Sequence, residues 1–380
     1  MSAKPGILFL VSSLVAGGAE RHAISLLNNL DLSRFRLSLG YLKPPETLLP
    51  DLDCTRLERV ISLNVQHKLD MGVVRTLADY IDRHDIGVVV STNAYPTLYA
   101  ALASRRVARR PRAMEVFHST TLPNITEQLQ MGLYRFIFRR QDLLVYVSQL
   151  QQNYWRAKGL RAKREIVIHN GIDPQHFFDR YTDGEKMAIR ARFGFLPSDY
   201  VIGICAALRP EKAHGDFLEA LSRLRRSGID AKGLIIGDGP ERSSVDTRIH
   251  ELGLQERVVA AGFQADVRPF VAACDVMTLT SHSVETFSLA ALESMSLCKP
   301  MVMTNIGGAE EQVIHGVNGL LFSPGDVDAL IEHLTSLATA DARARMGSAA
   351  GSMVREKFTL TKMVTAYAAE LLTLAASSLN

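Results

Sequence analysis

The chain has only four cysteines in 380 residues (Cys54, Cys205, Cys274 and Cys298), and they show neither a CxxC pair nor any other metal-ligand spacing. Such scattered thiols exclude a disulfide framework and point to a reducing compartment. No apolar run approaches the roughly eighteen residues that a membrane-crossing helix needs. There is no GxGxxG, because Gly237-Asp238-Gly239 is followed by Pro240-Glu241-Arg242. There is no GxxxxGK[ST] loop either, so dehydrogenase and nucleoside-triphosphatase chemistry find no support.

What is present is globular. Hydrophobic residues make up 47% and charged residues 22%, and the length suits two domains rather than one core. Lys4 ahead of an apolar stretch at 7–11 resembles a short secretory signal. A lone basic residue makes a poor start for one, and a helical pattern follows from Glu20, so a buried first strand and a cytoplasmic protein are expected.

The net charge of +3 hides an asymmetry: residues 1–190 carry 26 basic against 18 acidic side chains, and the rest carry 17 against 22. Between 105 and 164 there are 13 basic residues, opposed only by Glu115, Glu127 and Asp142. A band of this kind suits an anionic partner such as membrane headgroups, a diphosphate-linked lipid or nucleic acid, or is simply a solvated surface.

Short apolar runs alternate with helical patterns throughout, the mark of parallel α/β sheets. Strands are expected near 7–12, 36–41, 87–91, 113–117, 143–147 and 165–168, with helices near 19–30, 71–84, 95–104, 125–140 and 149–159. The glycines and proline of 171–190 read as an interdomain connection. The pattern restarts with strands near 200–206, 232–236, 258–261, 276–280 and 300–304 and helices at 214–227, 240–252, 285–297 and 326–338. The expected organisation is therefore two doubly wound parallel-sheet domains, 1–170 and 191–355. An amphipathic helix within 356–380 would return to the first. In such domains ligands bind at the carboxyl ends of the strands.

Several residues are expected at those ends. Glu285 and Glu293 stand eight residues apart, a little over two helical turns, where a loop end runs into the first turns of a helix. The N–H groups of Ser288, Leu289 and Ala290 would open that helix, a ready anion site. Gly17 and Gly18 follow the first strand and permit close approach to a phosphate or sugar. Arg209 and Lys212 follow the first strand of the second domain, where two cations suit a diphosphate. His118 ends a first-domain strand.

Together Gly17-Gly18-Ala19-Glu20, His118, Asn170-Gly171-Ile172-Asp173, Arg209 with Lys212, Gly237-Asp238-Gly239-Pro240, Glu285 with Glu293, Gly307-Gly308 with Glu311, and Asn318-Gly319 resemble the family 4 retaining glycosyltransferases. Nearly the whole chain is covered, in the right order. The resemblance implies two facing Rossmann-like α/β domains, the B-type glycosyltransferase fold. It implies Glu285 on the donor sugar, Glu293 on the ribose, and Arg209 and Lys212 on the diphosphate without a metal or other cofactor. Gly17 and Gly18 would close over the phosphates, and His118 would touch donor sugar or acceptor. Gly237, Phe287, Ser288 and Leu289 complete the implied donor site. Attack from the front face would let the leaving phosphate take the acceptor proton. Two departures stand out: Ala207 occupies the usual arginine position five residues before the lysine, and Ser288 replaces the usual glycine or proline.

The resemblance implies transfer from a nucleotide sugar, a UDP-sugar in the first instance and GDP-mannose as the rival. The acceptor would be a glycan or a polyprenyl-diphosphate-linked molecule. The band at 105–164 would then meet an anionic membrane on its inner face, and nucleic acid drops out as a partner. An epimerase or phosphorylase, or a non-catalytic nucleotide-sugar sensor, remain the other readings. The sensor would be expected to lack Glu285, Glu293 or Lys212.

Overall fold

Strand β1 (Gly6–Val11) reads Gly-Ile-Leu-Phe-Leu-Val, and all of it is buried in the computed structural model. Alternate residues serve opposite faces of a sheet. Ile7, Phe9 and Val11 join one apolar cluster, and Leu8 and Leu10 join another. A strand covered on both faces must be apolar throughout, which is why these runs read as parallel strands. The structure describes residues 4–15, 17–119 and 125–377, the side chains of 125–130 and 133 excepted.

The chain divides into two units, residues 1–170 with 360–380, and residues 171–359. The first continues with α1 (Gly18–Asn29), β2 (Arg36–Tyr41), β3 (Arg59–Ser62), α2 (Met71–Arg83), β4 (Ile86–Thr92), α3 (Ala94–Ala103), β5 (Arg112–Phe117), α4 (Ile125–Phe138), β6 (Leu143–Tyr146), α5 (Gln149–Ala157) and β7 (Glu165–Val167). The second holds α6 (Asp183–Arg192), β8 (Tyr200–Cys205), α7 (His214–Arg226), β9 (Ala231–Ile236), α8 (Arg242–Glu251), β10 (Val258–Ala260), α9 (Arg268–Ala273), β11 (Val276–Leu279), α10 (Leu289–Ser296), β12 (Met301–Thr304), α11 (Ala309–Gln312), β13 (Gly319–Phe322), α12 (Val327–Ser336) and α13 (Ala340–Lys357). Helix α14 (Leu360–Ser377) closes the described chain. It belongs to the first unit, where Met363, Tyr367, Leu371 and Leu374 seal the cluster around Ile7, Phe9 and Leu27.

Both sheets are wholly parallel and doubly wound. Their orders are β3-β2-β1-β4-β5-β6-β7 and β10-β9-β8-β11-β12-β13. The winding reverses between β1 and β4 in the first sheet and between β8 and β11 in the second. Each reversal leaves a crevice outside the carboxyl ends of two neighbouring strands.

Several elements differ from expectation. Residues 171–190 count with the second unit. Helix α6, which begins among them, starts on a capping box between Thr182 and Glu185, and its Arg190 binds Asp275 at 2.8 Å. Strand β3, half exposed and without an apolar run, and helices α9 and α13 add to the expected set, as does β13. The helix expected from 285 begins at Leu289, with Ser288 as its cap.

A candidate donor-binding site at the switch point of the second unit

Two loops meet where the second sheet reverses. The chain leaving β8 passes Arg209 and makes a 3-10 turn over Pro210–Lys212; it then enters α7 through Ala213, at φ 49° and ψ 48°. The chain leaving β11 laces onto that turn. Thr280 Oγ1 donates to the carbonyls of Lys212 and Ala213, both at 3.0 Å, and the His282 N–H donates to Glu211 O at 2.9 Å. These bonds carry Lys212 and Glu285, 73 residues apart in sequence, to an Nζ–Oε2 distance of 2.6 Å. Ser281 Oγ donates to the same carboxylate oxygen at 3.2 Å. The two side chains are 19% and 12% exposed, so the pair is largely shielded and its charge-assisted bond correspondingly strong.

The backbone beside each partner is strained. Ala213 follows Lys212, and Val284, at φ 57°, precedes Glu285. A left-handed conformation costs an L-residue about 1–2 kcal/mol, and a β-branched valine is an outlier there. The surrounding structure holds it: the carbonyl of Glu285 rests against Gly307, where an added Cβ would lie 1.7 Å from that oxygen. The Gly308 N–H donates to Thr286 O at 2.7 Å. The Gly307-Gly308 loop after β12 thus serves as the bed of the Glu285 loop.

Helix α10 begins directly beyond. Ser288 Oγ accepts from the Ala291 N–H at 3.2 Å. The N–H of Ser288, expected to be free, instead donates to Gln312 Oε1 at 2.9 Å, and Gln312 Nε2 returns a bond to Ser288 O at 2.8 Å. The anion-facing donors at this terminus reduce to the N–H groups of Leu289 and Ala290, for which no partner is found among the described residues. Glu293 sits in the second turn of α10 and is half-buried. Phe287 is a packing anchor: its ring is buried edge-to-face on Phe358 at 5.3 Å.

Arg209 does not join Lys212 and Glu285. It is exposed, its guanidinium has no hydrogen bond or ion pair among the described residues, and it lines a cavity of about 460 Å³ with Pro210, Ala213, His214 and Glu241. Burial, with the charge of Lys212 adding to it, pushes the His214 imidazole down to about 4. Gly237, at φ 143°, lets the loop after β9 lie on the chain leaving β8; an added Cβ there would come 2.0 Å from Ala206 O. Its N–H bonds Gly262 O at 3.0 Å.

In the first unit, Gly17 is the N-cap of α1, and no side chain caps that helix. Gly18 is exposed and follows it. His118 leaves the carboxyl end of β5, next to β4 at the reversal of that sheet. Burial lowers its imidazole to about 4.

Gln312 and Ser281 carry no local signal, since each acts on a residue of a different or irregular segment. His22 was legible in principle: it stands four residues after Gly18 on α1, one helical turn away on the same face. Among the described residues no group of three or more His, Cys, Asp or Glu side chains is placed to hold a metal ion. None of the described helices is long and apolar enough to cross a membrane.

Known proteins resemble this chain in sequence and fold. The family described as Glycosyltransferase Family 4 matches residues 16–176, and the one described as Glycosyl transferases group 1 matches residues 185–353. The N-acetyl-alpha-D-glucosaminyl L-malate synthase of Bacillus anthracis is 26% identical over 301 residues, 78% of this chain and 77% of its own length. The alpha-D-kanosaminyltransferase of Streptomyces kanamyceticus is 21% identical over 308 residues, 80% and 76% of the two chains. The crystal structure of Anabaena Alr3699/HepE in complex with UDP and glucose superposes with a TM-score of 0.85 at 25% identity, covering 97% of this chain and 100% of that one. The same protein in complex with UDP-glucose gives 0.84. Two doubly wound parallel domains, motifs spread along both, and matches over most of the length lead to one conclusion: this chain belongs to the family 4 glycosyltransferases and has their B-type fold.

Proposed function

We propose that the protein transfers a sugar from a UDP-sugar to a glycan or a polyprenyl-diphosphate-linked acceptor, with retention at the anomeric carbon and without a metal ion. The observation that carries this is the shielded Lys212–Glu285 pair, 2.6 Å apart, at the switch point beside the start of α10. Lys212 supplies a cation for the diphosphate, and the N–H groups of Leu289 and Ala290 supply two donors with the helix dipole behind them. Glu285 and Glu293 are assigned to the donor-sugar and ribose hydroxyls. Uridine as the base is supported by the HepE complexes with UDP and UDP-glucose. In the step itself the bond from C1 to the diphosphate oxygen breaks and the acceptor oxygen bonds to C1 on the same face. The acceptor proton passes to the departing diphosphate oxygen. The test is UDP release from a panel of UDP-sugars, with GDP-mannose as comparison, with and without acceptor and in excess chelator. UDP release undiminished by chelator is the expected result; full loss on metal removal contradicts the metal-free scheme.

The membrane part of the reading has its own support. Strands β5, β6 and β7 are adjacent and parallel, so the loops leading into them gather at the amino edge of the first sheet. His118 lies at the other edge. Those loops expose Arg105, Arg106, Arg110, Arg139 and Arg140, for which the described residues provide no ion pair, and Phe136 nearby is 63% exposed. Arg112 and Lys163 share Asp142, Arg156 binds Glu165, and Arg164 binds Glu370. Free arginines beside an exposed phenylalanine suit the anionic inner face of a membrane, each basic side chain adding about 1 kcal/mol at low salt. Co-sedimentation with anionic vesicles, lost in high salt and in the Arg139→Glu/Arg140→Glu variant, is expected. Equal indifference to anionic and neutral vesicles would remove the membrane from the reading.

A further inference from the structure

The backbone around His118 is held from several directions. Its N–H donates to Asn93 Oδ1 at 2.9 Å. Gln151 Nε2 donates to the carbonyls of Phe117 and Ser119 at 2.7 and 3.0 Å, and the Trp155 indole N–H donates to Ser119 O at 2.8 Å. Such bonds place the Cα, and contacts to the ring itself bear on the two side-chain torsions that aim the imidazole. The ring is met edge-to-face by His22, with centroids 4.9 Å apart and planes at 67°. His22 is met in the same manner by Tyr367 of α14, at 5.2 Å and 64°.

His22 and Tyr367 are 2% and 0% exposed. Burial first, and the neighbouring His118 second, hold the His22 imidazole neutral. Neither His22 Nε2 nor the Tyr367 hydroxyl has a partner among the described residues. Leucine or phenylalanine would fill both places without the cost of buried polar atoms left unpaired. The polar pair is therefore a poor solution to packing alone, and it touches the one first-unit side chain assigned to substrate.

We propose that Tyr367 and His22 form a positioning stack that sets the orientation of the His118 ring, making the C-terminal helix α14 a determinant of the first unit's site. The proposal rests on the reading that His118 touches donor sugar or acceptor. An imidazole set in a fixed pose stays aligned with the reacting atoms, and a misplacement of about 1 Å can cost up to a hundredfold in rate.

Four variants test it, assayed for kcat and KM with the full chain. His22→Leu and Tyr367→Leu remove the rings and are expected to lower kcat at least about tenfold, with KM for the donor within about twofold of wild type. His22→Phe and Tyr367→Phe keep the rings and are expected to retain kcat within about threefold. Their thermal midpoints should be no lower than wild type, because each removes an unpaired buried polar atom. Wild-type turnover in His22→Leu, or equal losses in the leucine and phenylalanine variants, would overturn the stack. His118→Ala separates the two levels. If it is inactive while His22→Leu is normal, only the stack fails; if it turns over normally, the assignment of His118 fails and the stack with it. Should the leucine variants not fold, the His118 ring-proton shifts decide. Displacement by a neighbouring ring in both wild type and His22→Phe supports the contact, and free-imidazole shifts overturn it.

Discussion

Lys212→Ala is expected to lower turnover by about a hundredfold to a thousandfold, the usual effect of removing one donor that meets charge developing in the transition state. Lys212 comes from a 3-10 turn that Thr280 fixes through two hydrogen bonds, so its ammonium is placed before the donor arrives. Among the described residues, the variant also leaves the Glu285 carboxylate with only Ser281 as a bonded partner. A shielded carboxylate that loses its cation costs stability, up to about 3–5 kcal/mol for a fully buried pair, and this must be told apart from lost catalysis. Lys212→Gln serves that purpose: its amide can still donate to Glu285, so stability should largely return while the rate stays low. Arg209→Ala is expected to do far less, because Arg209 is exposed and Glu285 is bonded by Lys212 and Ser281 instead. Equal losses in the Arg209 and Lys212 variants would restore the two-cation clamp that the family resemblance implies.

Glu285→Ala is expected to abolish transfer while UDP binding survives or tightens. The carboxylate now engages Lys212 at 2.6 Å, so an incoming diphosphate competes with it for the ammonium. Removing the competitor frees the cation for the nucleotide. Removing the group assigned to the sugar hydroxyls costs the orientation of the transferred residue. Calorimetry with UDP and turnover with the intact donor separate these effects. Near-normal turnover would end the assignment of Glu285, and loss of UDP binding in a folded variant would place it on the nucleotide instead.

Much of this architecture was legible in the sequence because parallel strands covered on both faces must be apolar end to end, as Ile7–Val11 and the run at 200–205 are. Strand β3 escaped because its half-exposed residues alternate too weakly to stand out. Helix α6 carried a readable signal, Thr182 three residues before Glu185, hidden by the glycine and aspartate around it. The start of α10 was blurred for a different reason. Ser288 looked like a cap, but nothing local says that Gln312, 24 residues on, takes its N–H. The pairing of Lys212 with Glu285 and the left-handed Ala213 and Val284 are likewise products of two loops meeting across neighbouring strands. No local preference puts a valine at φ 57°, so such positions emerge only once the tertiary structure imposes them. The assignment of roles to these residues came from the family resemblance, which the matches over residues 16–176 and 185–353 bear out at the level of the family.

The most direct test of the central claim compares wild type and Lys212→Ala side by side, measuring nucleoside diphosphate release from a UDP-sugar in excess chelator. The expected result is steady UDP release by wild type, accelerated by acceptor, with the variant slower by about two to three orders of magnitude. Release from GDP-mannose alone, release that stops with chelation, or equal rates from the two proteins would contradict it.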